Sequence, residues 1–263
     1  MEFCLTKMLT EPAEYSGRID LLGIGFDPIG TDDTIEQLRR TTSDTPYSYL
    51  VTPNVDHMVR VLHPKRSADA QLRHVYARAA LCVCDSRILS RLARLRGIRL
   101  PVAPGSDLTA RLFAQVIQPD DLIAVIGGAI DTVDQLRARF PRVRFVQHVP
   151  PMRMLDKPAA IEEAAAFVAA AHARFTFLAV GSPQQELIAF AVSHREGARG
   201  VALCVGASID FLVGTQRRAP RWVQLAGLEW AHRLAGDPKR LWRRYLIDGP
   251  RIFIAFGRWK RGR

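Results

Sequence analysis

The sequence predicts an α/β fold in which helices cover both faces of a mostly parallel sheet. Short runs rich in β-branched residues alternate with longer helical patterns along most of the 263 residues, and this alternation is typical of strand–helix–strand units. Most of the short runs are apolar throughout, as expected for strands that are covered on both faces. A chain of this length can hold one large α/β domain, or a domain and an appendage.

Six runs are candidates for strands, and six helical patterns lie between or after them. The strand candidates are Tyr47–Thr52, Leu81–Cys84, Leu122–Ile126, Val143–Val149, Phe175–Val180 and Val201–Val205. The helical patterns are Val55–Leu62, Arg87–Leu95, Ser106–Val116, Thr132–Arg139, Pro158–Ala173 and Pro183–His194. Their order predicts a Rossmann-like, doubly wound sheet.

The C-terminal part of the chain differs in composition from the rest. All four tryptophans lie after Gly214, and residues 215–263 hold 13 Lys and Arg against 3 Asp and Glu, although the whole chain has a net charge of only +11. We therefore expect an α/β core over residues 1–214 and a basic helical appendage over 215–263. A basic segment with interleaved apolar side chains suits an anionic membrane surface first and nucleic acid second.

The cysteines and the hydropathy pattern indicate a cytoplasmic protein that is soluble or peripheral. Four cysteines without metal-binding spacing predict reduced thiols. The N-terminus has acidic and polar residues where a signal peptide needs an apolar stretch. No apolar run reaches the roughly 18 to 20 residues that a spanning helix requires.

Polar and glycine residues follow five of the strand candidates. These segments are Pro53-Asn54, Asp85-Ser86, Gly127-Gly128, Gly181 to Glu186, and Gly206 to Ser208. Because ligands bind at the carboxyl ends of strands in open α/β sheets, we expect an active-site crevice at this edge.

Three side chains at the first two strand ends are candidates for chemistry. Asp85 closes an apolar strand, where a carboxylate can take a proton from a hydroxyl nucleophile or simply cap the next helix. Thr52 and Asn54 offer neutral hydrogen-bonding groups that suit sugar hydroxyls or the edge of a nucleobase. Asn54 can equally be a helix cap.

Two glycine-containing segments suggest phosphate binding, with different strength. Gly105, Ser106 and Asp107 open a helix whose backbone amides can meet an anion, although Ser106 alone is most simply a cap. Gly127 and Gly128 lack the third glycine of a dinucleotide-binding fingerprint, so they give little support to a nicotinamide cofactor.

The segment from Gly181 to Glu186 is more informative. Gly181 lets the backbone approach a ligand closely, and Pro183 suits the first turn of a helix. Gln185 and Glu186 then fall in that turn, where they can bind uracil, ribose or sugar hydroxyls. Glu186 can also simply complement the helix dipole.

Three arginines of the appendage have helical spacing. Arg233, Arg240 and Arg244 are separated by 7 and 4 residues, which can place them on one helical face. The planar guanidinium suits a diphosphate. A charged run is usually a solvated face. A purely solvated face, however, would not need Trp230 and Trp242, which lie within this run.

Six segments keep the order and spacing of a known pattern. They are T-P-N at 52–54, the apolar run ending in Asp85, G-S-D-L at 105–108, G-S-P-Q-Q-E at 181–186, V-G-A-S-I-D-F at 205–211, and R-A-P-x-W…G-L-E-W…R…P…R-L-x-R-R-Y from 218 to 245. Together they resemble the WecG/TagA/CpsF family of bacterial glycosyltransferases, over about residues 21–245.

This resemblance implies an inverting, metal-independent hexosyltransferase. The family moves a sugar from a UDP-sugar to a polyprenyl-diphosphate-linked saccharide at the inner face of the cell membrane, in exopolysaccharide or cell-surface polysaccharide synthesis. No cofactor is implied. By position, Asp85 corresponds to the proposed base, and Thr52, Asn54 and Gln185 to polar pocket residues. The appendage would cover the site and supply Arg233, Arg240 and Arg244 to diphosphate.

One departure from the family pattern lies beside the expected base. The family usually continues its aspartate with a glycine and another glycine two places later, whereas this chain has Asp85-Ser86-Arg87-Ile88. The missing glycines predict a bulkier turn that alters acceptor or donor choice.

The sequence thus predicts a peripheral membrane glycosyltransferase. Its expected partners are a UDP-sugar donor, a polyprenyl-diphosphate-linked acceptor and an anionic membrane surface, with no nucleic acid and with homo-oligomer formation left open. No Asp-x-Asp pair is present to hold a metal, so arginines would stabilise the leaving group. The alternatives are a nucleic-acid-binding module that uses the basic tail, and a nucleotide-dependent oxidoreductase.

Overall fold

The computed structural model describes residues 17–216 and 219–259, and it contains a six-stranded parallel sheet. A separate antiparallel hairpin precedes this sheet. The strands are β1 (Ile19–Leu21), β2 (Ile24–Phe26), β3 (Ser48–Val51), β4 (Leu81–Cys82), β5 (Leu122–Gly127), β6 (Arg144–His148), β7 (Phe175–Ala179) and β8 (Val201–Cys204). The strand order in the main sheet is β4-β3-β8-β7-β5-β6.

Helices connect these strands and form most of the C-terminal part. They are α1 (Thr31–Arg39), α2 (Val55–Leu62), α3 (Ser67–Arg78), α4 (Arg87–Leu95), α5 (Gly105–Gln115), α6 (Thr132–Arg139), α7 (Pro158–Ala171), α8 (Gln184–Val192), α9 (Ser208–Val213), α10 (Arg221–Ala226), α11 (Glu229–Gly236), α12 (Pro238–Trp242) and α13 (Arg251–Arg258). A 3₁₀ turn (Met154–Asp156) precedes α7, and a π-helical turn (Arg243–Asp248) follows α12.

The sheet is covered on both faces, which confirms the predicted doubly wound α/β fold. Helices α2, α3, α4, α7, α8 and α13 contribute to one buried cluster, and α1, α5, α6 and α9 to the other. The pleat of β8 divides accordingly: Ala202 and Cys204 face the first cluster, and Val201 and Leu203 face the second.

The strand order creates a crevice beside β8. Strand β3 continues into α2 on one face of the sheet, while its neighbour β8 continues into α9 on the other. Where adjacent strands send their connections to opposite faces, the carboxyl ends leave an open space between them. The fold therefore places the segments after β3, β7 and β8 around one opening.

All six predicted strands are present in the main sheet, and the differences lie at their ends. Of the predicted strand Leu81–Cys84, only Leu81 and Cys82 form a β-strand. The chain nevertheless stays tied to its neighbours, because Val83 N donates to Val51 O and Asp85 N donates to Pro53 O, at 3.0 and 3.1 Å. These bonds fix the backbone of Asp85 at the sheet's carboxyl edge.

The β1–β2 hairpin and helices α1, α3 and α9 were not predicted. Each hairpin strand has only three residues, which is too short to show a two-residue period. Helix α3 has its buried apolar residues at Ala68, Leu72, Val75 and Tyr76, a helical spacing that was present in the sequence and was missed.

The C-terminal part is attached to the core at its far end. Ile252 and Phe256 of α13 belong to the first core cluster, with 0% and 9% of their surface exposed. Arg96 of the core donates to the Phe256 carbonyl at 3.3 Å, and its guanidinium lies 5.1 Å from the Phe256 ring centroid. The described part of residues 215–258 thus forms a strap that follows α9 and is anchored to the core by α13.

Within the described residues, none of the helices is both long and apolar enough to cross a membrane. Cys82, Cys84 and Cys204 are buried and are not joined in disulfides in the described residues. Cys4 lies outside the described residues.

Candidate functional site

A cavity of about 1080 Å³ lies at the carboxyl ends of β3, β4, β7 and β8. Its floor is built from the segments that follow these strands, and its roof from the strap between Gly227 and Phe253. Predicted site residues that line it are Thr52, Asn54, Asp85, Ser106, Gly181, Gln185, Arg233 and Arg244. The fold therefore brings residues from six separate segments to one space.

Asp85 lies on the floor of this cavity and is not a helix cap. Ser86 caps α4 instead, because its hydroxyl oxygen accepts from Leu89 N at 3.2 Å. The Asp85 carboxylate is partly exposed to the cavity and accepts a hydrogen bond from the Asn54 side chain. Its carboxylate is therefore available to a ligand.

The surroundings raise the pKa of Asp85 to about 7. Burial is the main cause, because it disfavours the charged form. The nearby carboxylates of Glu229 and Asp107 raise the pKa further, whereas the Arg233 guanidinium and the Asn54 hydrogen bond oppose the shift. A carboxylate with a pKa near 7 is well matched to general-base catalysis at neutral pH.

Asn54 is a helix cap, which is one of the two roles considered for it. Its Oδ1 accepts from Asp56 N at 3.0 Å and from His57 N at 3.4 Å, so it caps α2. The amide group of the same side chain donates to Asp85. One residue thus fixes the start of α2 and orients the candidate base.

Thr52 and the first turn of α5 pack tightly below the cavity. The Thr52 hydroxyl donates to Cys204 O at 2.9 Å and is buried, so this donor is already used within the protein. Helix α5 begins at Gly105 after Pro104, so Ser106 lies in its first turn and is not the cap. A Cβ on Gly105 would lie 3.2 Å from Val205 and 3.3 Å from the Thr52 hydroxyl.

Gln185 joins two loops through its side-chain amide. Its Oε1 accepts from Gly206 N at 2.8 Å, and its Nε2 donates to Glu186 Oε1 at 2.9 Å. Burial raises the pKa of Glu186 to about 7, although the hydrogen bond from Gln185 partly opposes this. Glu186 is 1% exposed and is not among the cavity-lining residues, so its visible role is to orient Gln185.

Gly127 and Gly128 lie away from the cavity lining. A Cβ on Gly127 would lie 2.6 Å from Cγ1 of Val180, which itself lines the cavity. Gln147 Nε2 donates to the carbonyls of Gly127 and Ala129, at 2.9 and 2.8 Å. The two glycines therefore belong to a packed turn behind the site.

Arg233 reaches the cavity from α11 in the roof. Its Nη2 lies 3.5 Å from Glu229 Oε1, one helical turn away, and its guanidinium lies 5.1 Å from the Phe211 ring centroid. Arg233 is also close enough to Asp85 to lower the pKa of that carboxyl group. The strap thus brings a cation to the candidate base.

Arg244 belongs to a second group of charged side chains, together with Asp56 and Arg60. It lies 3.3 Å from Asp56 Oδ2, and Arg60 lies 3.1 Å from the same oxygen. Burial alone would raise the pKa of Asp56, but the Arg244 and Arg60 guanidiniums outweigh it and hold the pKa below its usual range. The side chain of Arg240 lies outside the described residues.

His57 borders this charged group without adding to its charge. Burial lowers the pKa of His57 to about 4, and the Arg244 and Arg60 charges reinforce the shift against the opposing effect of Asp56. The imidazole is therefore neutral at physiological pH.

The cavity also contains residues that the sequence analysis did not select. They are Asp56, His57, Arg60, Asp210, Phe211, Glu229, Trp230 and Tyr245. The four-residue separation of Asp56 and Arg60 predicts an ion pair on α2, but nothing in it places that pair in a cavity. Glu229 and Trp230 lie within a segment already used for the resemblance, and their adjacency to Arg233 was an available signal.

In the described residues, no group of three or more His, Cys, Asp or Glu side chains is placed to hold a metal ion. The charged groups that line this cavity include carboxylates and guanidiniums. Together with the aromatic and amide groups, they suit a polyhydroxylated, phosphate-bearing ligand.

A comparison with protein-family models gives an independent assignment. Residues 19–263 match the model described as the glycosyl transferase WecG/TagA/CpsF family. The match covers nearly the whole chain, including the core, the cavity floor and the strap above it.

Proposed function

The chain belongs to the WecG/TagA/CpsF family of glycosyl transferases, and on that premise we propose that it transfers a hexose from a UDP-sugar to a polyprenyl-diphosphate-linked saccharide. The transfer inverts the anomeric carbon and needs no metal. One observation carries the proposal: Asp85, with a pKa of about 7, shares a cavity with arginines of the strap.

The reaction proceeds in one displacement at the anomeric carbon of the donor. Asp85 takes the proton from the acceptor hydroxyl as that oxygen attacks the anomeric carbon. The bond from this carbon to the UDP oxygen breaks, and the electron pair leaves with UDP. Arg233, which lies beside Asp85, stabilises the charge that develops on the leaving diphosphate.

Residues 215–263 serve in this proposal as a cover that also attaches the enzyme to the membrane. Trp222, Trp242, Ile247 and Ile254 are 45–70% exposed, and exposed basic residues such as Arg243 and Arg258 lie among them. Apolar and basic side chains together bind the interface of anionic bilayers. The products then belong to exopolysaccharide or cell-surface polysaccharide synthesis on the cytoplasmic side of the membrane.

Asp85→Asn tests the chemical part of the proposal. Loss of the base should lower turnover by about 100-fold or more, while UDP affinity and the unfolding temperature stay close to wild type because the side-chain shape is kept. Steady-state rates are measured with a panel of UDP-sugars and a short-chain prenyl-diphosphate-linked sugar. Asp134→Asn, at an exposed position of α6, is the matched control. Wild-type rates in Asp85→Asn would refute the assignment.

A further inference from the structure

The roof of the cavity holds two aromatic rings next to a carboxylate. The rings of Trp230 and Tyr245 have centroids 6.1 Å apart at an interplanar angle of 51°. Glu229 precedes Trp230 in α11, and all three side chains line the cavity. Aromatic faces accept the apolar C–H faces of a sugar ring, and a carboxylate accepts hydrogen bonds from its hydroxyls.

An apolar opening lies beside these rings. Leu246 and Phe253 both line the cavity, and yet they are 55% and 54% exposed to solvent. A ligand that enters here passes between apolar side chains on the outer surface of the strap. This opening suits the hydrocarbon part of a lipid-linked molecule.

A cation lies next to one of these rings. The Arg244 guanidinium lies 5.5 Å from the ring centroid of Tyr245, the residue before Leu246. Its Nε is buried and finds no hydrogen-bond partner among the described residues. That donor is positioned to meet an oxygen of a bound ligand, such as a diphosphate.

These groups match the chemical parts of one substrate. The cavity lining contains exposed apolar side chains, a guanidinium, two aromatic rings and the carboxylates of Glu229 and Asp85. A lipid-linked acceptor presents a hydrocarbon chain, a diphosphate, a sugar ring and a nucleophilic hydroxyl. This correspondence rests on the proposed function, because it requires that the acceptor be lipid-linked and that Asp85 be the base.

We propose that Glu229, Trp230 and Tyr245 form the acceptor-sugar subsite, and that this subsite selects a neutral sugar. Glu229 acts electrostatically on Asp85, and Arg233 is the nearby cation. Once Arg233 is engaged by the donor diphosphate, a negatively charged sugar at this place meets two carboxylates without compensation. A neutral ring meets hydrogen-bond acceptors and aromatic faces instead.

Calorimetry on the full chain in detergent tests the subsite. The probes are farnesyl-diphosphate-linked glucose, the same molecule carrying glucuronic acid, and UDP. Trp230→Ala should weaken binding of the glucose probe by about tenfold, while UDP affinity changes by less than about twofold. The matched control is Trp222→Ala, because Trp222 is 70% exposed and does not line the cavity; it should bind all three probes as wild type does.

Glu229→Gln gives a second test, whose expected result would not occur if Glu229 had only a structural role. Loss of the negative charge should strengthen binding of the glucuronic acid probe by about threefold or more, with UDP affinity unchanged. The subsite is overturned if Trp230→Ala equals the Trp222 control, or if UDP affinity falls as much as probe affinity. It is also overturned if Glu229→Gln leaves the preference for the neutral probe unaltered, or if wild type binds UDP but not the glucose probe.

These outcomes separate the subsite from the proposed function. A wild-type chain that does not bind UDP contradicts the proposed function itself. A wild-type chain that binds UDP and transfers sugar, with an inactive Asp85→Asn variant and an unaffected Trp230→Ala variant, overturns only the subsite.

Discussion

Asp85 shows how one residue acquires its properties from several others. Asn54 orients it, burial raises its pKa, and Glu229 and Arg233 shift that pKa in opposite directions. Ser86 takes over the capping of α4 with an extended backbone (φ −152°), which any residue can adopt. A glycine at position 86 is therefore not required here.

The pKa of about 7 predicts a pH-dependent rate for the wild-type enzyme. A base must be deprotonated, so kcat should be low below pH 6 and should rise through about pH 7 to a plateau. In Glu229→Gln this rise should move to lower pH, because the variant removes a carboxylate that disfavours ionisation of Asp85. Rate profiles over pH 5 to 9 give the midpoint. A midpoint that stays in place, or moves upward, would contradict the electrostatic link.

Glu186 predicts a pH-dependent stability. Its folded-state pKa of about 7 exceeds the usual value of 4.5, so the folded state binds more protons than the unfolded chain between these values. Stability contributed by this group is therefore lost as pH rises from about 4.5 to 7. Glu186→Gln keeps a hydrogen-bond acceptor for Gln185 and removes the charge.

Denaturation at two pH values measures this effect. Glu186→Gln should be more stable than wild type at pH 8, by a free energy of the order of 3 kcal/mol at most, and the gain should disappear below pH 5. Glu163→Gln, at an exposed position of α7, is the control. A gain that is equal at both pH values would refute the explanation.

At the scale of elements, α13 has two apolar faces with different partners. Ile252 and Phe256 face the core, whereas Phe253 and Ile254 are 54% and 57% exposed. A helix that only covers a core would be polar on its outer face. The apolar outer face is consistent with contact to a membrane.

Two isoleucines of this helix provide a matched test of stability. Ile252→Ala should lower the free energy of unfolding by about 2 to 5 kcal/mol, because it removes fully buried methyl groups. Ile254→Ala should change it by less than about 0.5 kcal/mol. Urea denaturation followed by circular dichroism gives both values. Equal losses in the two variants would mean that α13 does not pack on the core in this orientation.

At the scale of the whole molecule, the basic and apolar surface of the strap predicts membrane binding. The full chain should sediment with vesicles that contain phosphatidylglycerol, and less with phosphatidylcholine alone, because anionic lipids attract its basic groups. Added salt should reduce binding by screening. The double variant Phe253→Ser, Ile254→Ser should bind these vesicles at least about tenfold more weakly, and its unfolding temperature should be unchanged.

Point variants suit this test better than truncation does. Removal of residues 215–263 would also remove Ile252 and Phe256 from the core, and so would confuse lost binding with lost stability. Two results contradict the membrane interpretation. One is vesicle binding by the double variant that equals wild type, and the other is retention on RNA that exceeds retention on anionic vesicles at the same salt concentration.

The sequence by itself determined the fold class, the six strands of the sheet and the edge at which its polar residues collect. It could do so because these features depend on local periodicity and on the ends of strands, both of which are written in consecutive residues. The family was also identifiable from its segments, since their order and spacing are properties of the chain alone. Asp85 and Asn54 were selected as candidates for the same reason.

Only the tertiary structure decided which of the candidates face one another. Gly127 and Gly128 follow a strand as Gly181 does, yet strand order places them behind Val180 and outside the cavity lining. Glu229, Trp230 and Tyr245 enter the site because α13 docks on the core and draws the strap across the sheet. Electrostatic interactions between residues about 150 positions apart, such as that of Arg233 with Asp85, depend on packing of the whole chain, and no local pattern encodes them.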